Sequence, residues 1–284
     1  MPDILSVVLR ALSFVMLFQA AGIAIFVAIF GRRLENSLTT IRHLGQVTAV
    51  AGMMLVAAHY ALEAARMTSE MSGIWDPAMQ GMVWNSSART AVLLRLLGLL
   101  LIAIGLRAAS GRSGAVALVG AMLAILAFTF TGHTSINTHR FELAALLVIH
   151  LLIVAFWFGA LWPLYLTSLR EPPRLGAQVI DTFAAVAVWL VPGILIAGLA
   201  LASILLPNLA ALTQAYGQLL VAKLAVFAVL MGLAALNKWR FGPAISRGDL
   251  LAAVGFRRSV AAEFVLIFGA LSITAVMTTF FSPE

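Results

Sequence analysis

The sequence predicts an all-α protein, a polytopic bundle of about eight transmembrane helices, and three observations carry that prediction. Of its 284 residues, 62% are hydrophobic and only 10% are charged, with a mean hydropathy of +1.05. Soluble domains sit nearer half apolar and a quarter charged, so too few ionisable groups are present to coat a compact body facing water. The apolar residues fall into runs of roughly 20, the length a helix needs to cross about 30 Å of hydrocarbon. The basic residues gather in alternate short loops, as expected of a chain threaded repeatedly through a bilayer. Lipid offers no partners to backbone N–H and C=O groups, so such runs form helices and not an open sheet.

Taken in order, the spans cover residues 4–30, 44–66, 89–107, 114–132, 141–167, 182–206, 216–237 and 260–281, all within one integral membrane domain of residues 1–284. The start, Met1 to Leu5, has no basic segment, and the run after it is long enough to cross, so it reads as a first span and not as a cleavable signal. The longest loop, Met67 to Ser87, joins the second and third spans and carries Met67, Met71, Met79, Met82, Trp75 and Trp84, a composition suited to lying along the interface. Inside the sixth span, Pro192-Gly193 is expected to bend or break the helix. There is no low-complexity segment and no evident internal repeat.

Loop charge fixes an orientation. One alternating set of loops carries Arg32, Arg33, Arg42, Arg107, Arg112, Arg170, Arg174, Lys238, Arg240, Arg247, Arg257 and Arg258, while the other carries Arg66, Arg89 and Arg140. The first set is therefore expected to face the cytoplasm, which puts both termini on the outer, periplasmic side. The same distribution accounts for the net charge of +7, which in a soluble chain would suggest a nucleic-acid partner. The chain has no cysteine, which excludes disulfides, iron–sulfur clusters and thiolate metal sites. It also has no P-loop and no G-x-S-x-G elbow, so an NTPase or a hydrolase is not expected, and the chain is read as a non-enzyme.

Ionisable side chains at membrane depth cost on the order of 2.5–3.5 kcal/mol or more and are functional candidates by default. His59 and Glu63 lie four residues apart near the outer end of span two, on one helix face. His133 ends span four on that side, His139 follows in the loop, and Glu142 opens span five. His150 lies about 12 Å deeper than Glu142 at 1.5 Å per residue, with Trp157 seven residues further on the same face. Arg10, Arg95 and Lys223 fall in the outer halves of spans one, three and seven, where they either snorkel to headgroups or pair with Glu63 and Glu142. The polar load is one-sided, as an outward-opening site would require. The donors available are imidazole, thioether and carboxylate, and imidazole with thioether suits copper better than Mg or Ca. The candidate ligands are His133, His150, His59, His139, Glu63, Met67 and Met71, with Trp157, Glu142, Arg95 and Lys223 lining the site.

Several of these residues lie in stretches that resemble one family. Gly132-His133, the run from His150 through Trp157 to Gly159, and Leu94-Arg95-Leu96 are similar to the copper-resistance D (CopD/PcoD) proteins of bacterial inner membranes. So are Tyr216-Gly217 with Lys223, Asn237-Lys-Trp-Arg240 with Pro243, and Arg257-Arg258-Ser259 leading to Glu263. The resemblance runs from about residue 85 to the end. It implies an eight-span inner-membrane protein that takes copper, as Cu(I) or Cu(II), at its periplasmic face and moves it into or across the membrane. A periplasmic copper-binding partner of the CopC type is implied as well, as a separate protein and not a fused domain. His133 and His150 are the ligands the resemblance implies, with Trp157 beside them.

Two other readings stay open on the residues alone. A b-type haem or quinone-reactive electron-transfer protein would use His59 and His150 as axial ligands. A copper-delivery or assembly factor would use the loop sites without transport.

Overall fold

The computed structural model describes residues 2–107, 111–131, 138–205 and 209–281. Eight helical segments among them are long and apolar enough to cross a membrane. The first is α1 (Pro2–Phe30), continued by a 3-10 turn to Arg33, and the second is α2 (Leu38–Thr68). A short helix, α3 (Pro77–Trp84), precedes α4 (Ser87–Gly105) and α5 (Gly111–Leu126). The long α6 (Arg140–Arg170) is followed by α7 (Pro173–Leu190) and α8 (Pro192–Leu205), which together make the sixth crossing. The seventh is α9 (Ala215–Leu236), a π turn (Asn237–Phe241) and α10 (Gly242–Ser246), and the last is α11 (Leu250–Phe280).

The sixth crossing breaks where the proline predicts. Proline lacks an N–H and its ring clashes with the preceding turn, so α7 stops at Leu190 and α8 restarts at Pro192. Other boundaries lie further out than hydropathy suggests. The last helix begins at Leu250, ten residues before the apolar run, because the Asp249 carboxylate accepts the Leu251 and Ala252 amides (2.8 and 3.1 Å) and caps it. The seventh crossing runs on to Ser246 because the π turn carries the helix past Asn237 without ending it.

The centre of the bundle is α1. Two thirds of its apolar window (67%) is buried, against 6% for the crossing that contains α9, so α1 is the hub and α9 lies at the rim. It packs against α2, α5, α6 and α11. Small residues bring α1 and α6 together: a methyl group on Gly22 would lie on the Ala155 carbonyl oxygen and 2.6 Å from the Gly159 Cα. Where lipid removes the usual hydrophobic drive between helices, such backbone proximity supplies the dispersion contacts that hold them. Aromatic rings fill the remaining space, with Phe18 stacked on Phe128 at 5.5 Å and Phe158 on Phe264 at 5.0 Å.

At the ends rich in arginine, two loops are clasped by one carboxylate. Glu171, just past α6, accepts the backbone amides of Glu35, Asn36 and Ser37 at 3.2, 3.1 and 2.8 Å and also the Ser37 hydroxyl. Burial alone would raise its pKa. The hydrogen bonds from Ser37, Glu35 and Asn36 favour the ionised form more strongly and hold the carboxyl below its ordinary value of 4.5.

Candidate functional site

The structure sorts the polar residues of the spans into three groups. The first joins α1 to α2 near their outer ends, as loop charge assigns that side. Arg10 donates from Nε to His59 Nε2 (3.1 Å), from Nη2 to Glu63 (3.4 Å) and from Nη1 to the Thr278 carbonyl (2.7 Å). Glu63 also takes Arg66 at 3.0 Å, and Arg66 reaches Asp3 at 3.2 Å. Ser6, fully buried, lies 3.2 Å from the same His59 nitrogen. Since a guanidinium only donates, His59 Nε2 is an acceptor and the ring is neutral with its proton on Nδ1. The pairing of Arg10 with Glu63 is thus realised, and the lone pair of His59 is already engaged. Arg95 approaches this group from α4, held over the Phe128 ring at 4.4 Å.

The second group is His150. Its position is about 15 Å inward of Arg140 along α6. Nδ1 donates to the Ile194 carbonyl on α8 at 3.1 Å, and Gly198 leaves room for the ring, since a methyl there would sit 3.6 Å from Cε1. A carbonyl only accepts, so Nδ1 carries the proton and Nε2 keeps the lone pair of a neutral imidazole. This is how proteins set up a metal-binding histidine: the far nitrogen is fixed by a hydrogen bond and the near one is left free to ligate. Lys223, on α9, is near enough for its charge to act on the ring, and no acidic partner reaches it among the described residues.

A third group is assembled deeper. Trp157 Nε1 donates to Glu263 Oε2 at 3.0 Å and Asn237 Nδ2 donates to Oε1, linking α6, the π turn and α11. Glu263 is 2% exposed. Sequence reasoning placed Trp157 at the site but left Glu263 and Asn237 as motif residues only. With the last span begun at residue 260, Glu263 looked like an end residue; in fact it lies about 20 Å into the helix. Gln19 of α1, also buried, donates to the Phe158 carbonyl at 2.8 Å at the same level.

The remaining candidates are peripheral. His139 and Glu142 are exposed and 4.0 Å apart. Met67 and Met71 are exposed, at the end of α2 and the start of the next turn, beside a shallow cleft lined by Thr68, Glu70 and Asp76. His133 lies outside the described residues. Among the described residues, no three His, Asp or Glu side chains are placed to hold a metal together.

Comparison with known proteins gives this arrangement a context. Residues 1–139 match the family described as Copper resistance protein D-like, N-terminal domain, and residues 177–277 match the family described as Copper resistance protein D. The chain belongs to the copper resistance protein D family. A relative named Copper resistance protein D, from Pseudomonas syringae pv. tomato, is 29% identical over 310 residues, an alignment that takes in 100% of this chain and 98% of the relative. No solved structure matches. The two family segments meet across the bundle. Arg10, His59 and Arg95 belong to the first, and Lys223, Asn237 and Glu263 to the second. His150 and Trp157 lie on α6, between the two.

Proposed function

We propose that this protein handles copper in the bacterial inner membrane, accepting it at the periplasmic face and moving it into or across the bilayer without catalysing a chemical reaction. Membership of the copper resistance D family supports the cargo, and the basic residues of alternate loops support an orientation with both termini periplasmic. The observation that carries the reading is His150: a neutral imidazole at membrane depth, with Nδ1 bonded to a backbone carbonyl and Nε2 left as a ligand. Copper would arrive from a periplasmic carrier of the CopC type, meet His133, His139 and the Met67–Met71 loop, and pass inward to His150. His59 is a weaker way-station, since copper must displace Arg10 from its Nε2.

The test is metal analysis with an optical spectrum of detergent-purified wild type, His150→Ala and His133→Ala after loading with Cu(I) or Cu(II). Wild type should retain copper, and each histidine variant should retain less than half as much. Equal copper content in all three would sink the reading. A Soret band in wild type that is lost in His150→Ala would replace it with the haem reading. Copper binding without uptake in proteoliposomes would leave a delivery factor.

A further inference from the structure

Glu263 is a buried carboxyl group about 20 Å from the Leu250 end of α11 and about 25 Å from its Phe280 end, five residues beyond Arg258. Among the described residues its two oxygens accept hydrogen bonds only from neutral donors, the Trp157 indole and the Asn237 amide. The elements packed against α11 are α1, α6, α9, the π turn and α10. On α1 the charged residues Asp3 and Arg10 are bonded near the outer end, and Gln19 is what faces α6 at this level. On α6, Arg140, Glu142 and His150 lie outward, and Arg170 lies at the inner end. Lys223 sits on α9 about 21 Å outward of Asn237, Lys238 and Arg240 follow Asn237 on the π turn, and α10 has no titratable side chain. On α11 itself Arg257, which reaches the Ser168 carbonyl at 3.4 Å, and Arg258 lie toward the inner end. Among the described residues none of these groups forms an ion pair with Glu263.

Among the described residues, the buried oxygens Asn237 Oδ1 and Ser259 Oγ, the latter one turn before Glu263 on the same helix face, have no hydrogen-bond partner. They are what a carboxyl O–H needs to bond to. A hard metal cation would want six or so oxygen ligands, and the oxygens here number four, two of them already receiving N–H groups.

We propose that Glu263, with Asn237 and Ser259, is a proton-binding site buried in the helix bundle, and that losing its proton supplies the single negative charge against which a Cu(I) ion passes this part of the bundle. In that step the O–H bond breaks, the electron pair stays on the carboxylate oxygen, and the proton leaves to water. A neutral acid is thereby replaced by a carboxylate and one monovalent cation, so the net charge of the interior is unchanged. The second half of the proposal rests on the translocation reading above.

Infrared spectra of the protein reconstituted in lipid test the site without copper. At about pH 6 exposed Asp and Glu are ionised, so wild type should keep one carboxyl C=O band, which Glu263→Gln removes. Trp157→Phe, which preserves the ring packing, should shift that band, because it takes away one of the two hydrogen bonds to the carboxyl. A wild type with no such band, or a band that neither variant alters, overturns the proposal; if Glu263→Gln does not fold, Trp157→Phe alone decides. In proteoliposomes holding a pH-sensitive dye, wild type should displace one proton per Cu(I) taken up, and Glu263→Gln none. Copper uptake with no proton movement overturns the exchange. Absence of any uptake by wild type overturns translocation and the exchange with it, while the infrared band still decides the site.

Discussion

Replacing Glu171 by Gln measures how firmly the two loops at the arginine-rich ends are clasped. In the native protein four donors converge on two carboxylate oxygens: three backbone amides and the Ser37 hydroxyl. Hydrogen bonds to a charged group contribute about 1.5–3 kcal/mol each and neutral ones about 1 kcal/mol. Gln keeps one oxygen, which can still serve Ser37 and Asn36, but turns an NH2 toward the Glu35 amide and leaves two donors facing each other. Half of the charge-assisted gain is lost on the exposed side of the loop, where water compensates. The net cost is therefore about 3 kcal/mol, or a fall in Tm of roughly 6–12 °C at 2–4 °C per kcal/mol. Thermal unfolding in detergent at pH 7 reads it directly. The sign with pH follows from the depressed native pKa. The contribution of Glu171 is complete above its ordinary value of 4.5 and is lost as pH falls through the lower native value. Wild type and variant should thus converge in acid. Equal Tm values at pH 7, or a gap that persists unchanged below the native pKa, would refute the reasoning.

Three further outcomes follow from contacts in the bundle. Gly22→Ala places a methyl group on the Ala155 carbonyl and must push α1 from α6, costing about 3 kcal/mol or more, while Gly81→Ala, with open space around it, should leave the Tm unchanged or raise it. Gly198→Ala should be tolerated beside His150, since the added methyl stands at an ordinary 3.6 Å, whereas Gly198→Leu should displace the ring and lower copper retention to that of His150→Ala. Arg10→Met releases His59 Nε2 from its donor, so mass spectrometry after diethyl pyrocarbonate treatment should find His59 modified several-fold faster than in wild type; an unchanged rate would mean that Arg10 does not mask it.

Much of the framework can be read from the chain because its signals are coarse. Long apolar runs give the eight crossings, and a proline inside a run gives the break at Pro192. Ends are less legible, since a cap such as Asp249 extends a helix through residues whose hydropathy marks them as loop. That extension bears on the site: the helix begins ten residues before the apolar run, so Glu263 lies well inside α11 and not at its start. His150 was visible as an ionisable group too far from either surface. Its preparation for ligation was not, because the Ile194 carbonyl belongs to a helix whose neighbours no single sequence reveals. The same holds for Arg10 and His59, 49 residues apart in the chain and bonded in space.

The π turn at Asn237–Phe241 sets the angular phase of the seventh crossing. A wide turn holds roughly one residue more than an α turn, so it acts as a single-residue insertion absorbed without breaking the helix. Removing one residue after Asn237 would restore a plain α-helix and swing everything beyond it by about 100° relative to α9. The ring of Phe241, which now lies where a side chain on Gly255 would have to go, would turn away from α11. Asn237 reaches Glu263 on one side of the turn and Phe241 seats on α11 on the other. The wide turn lets one helix meet the same neighbour twice, with an amide at the upper contact and an aromatic ring at the lower.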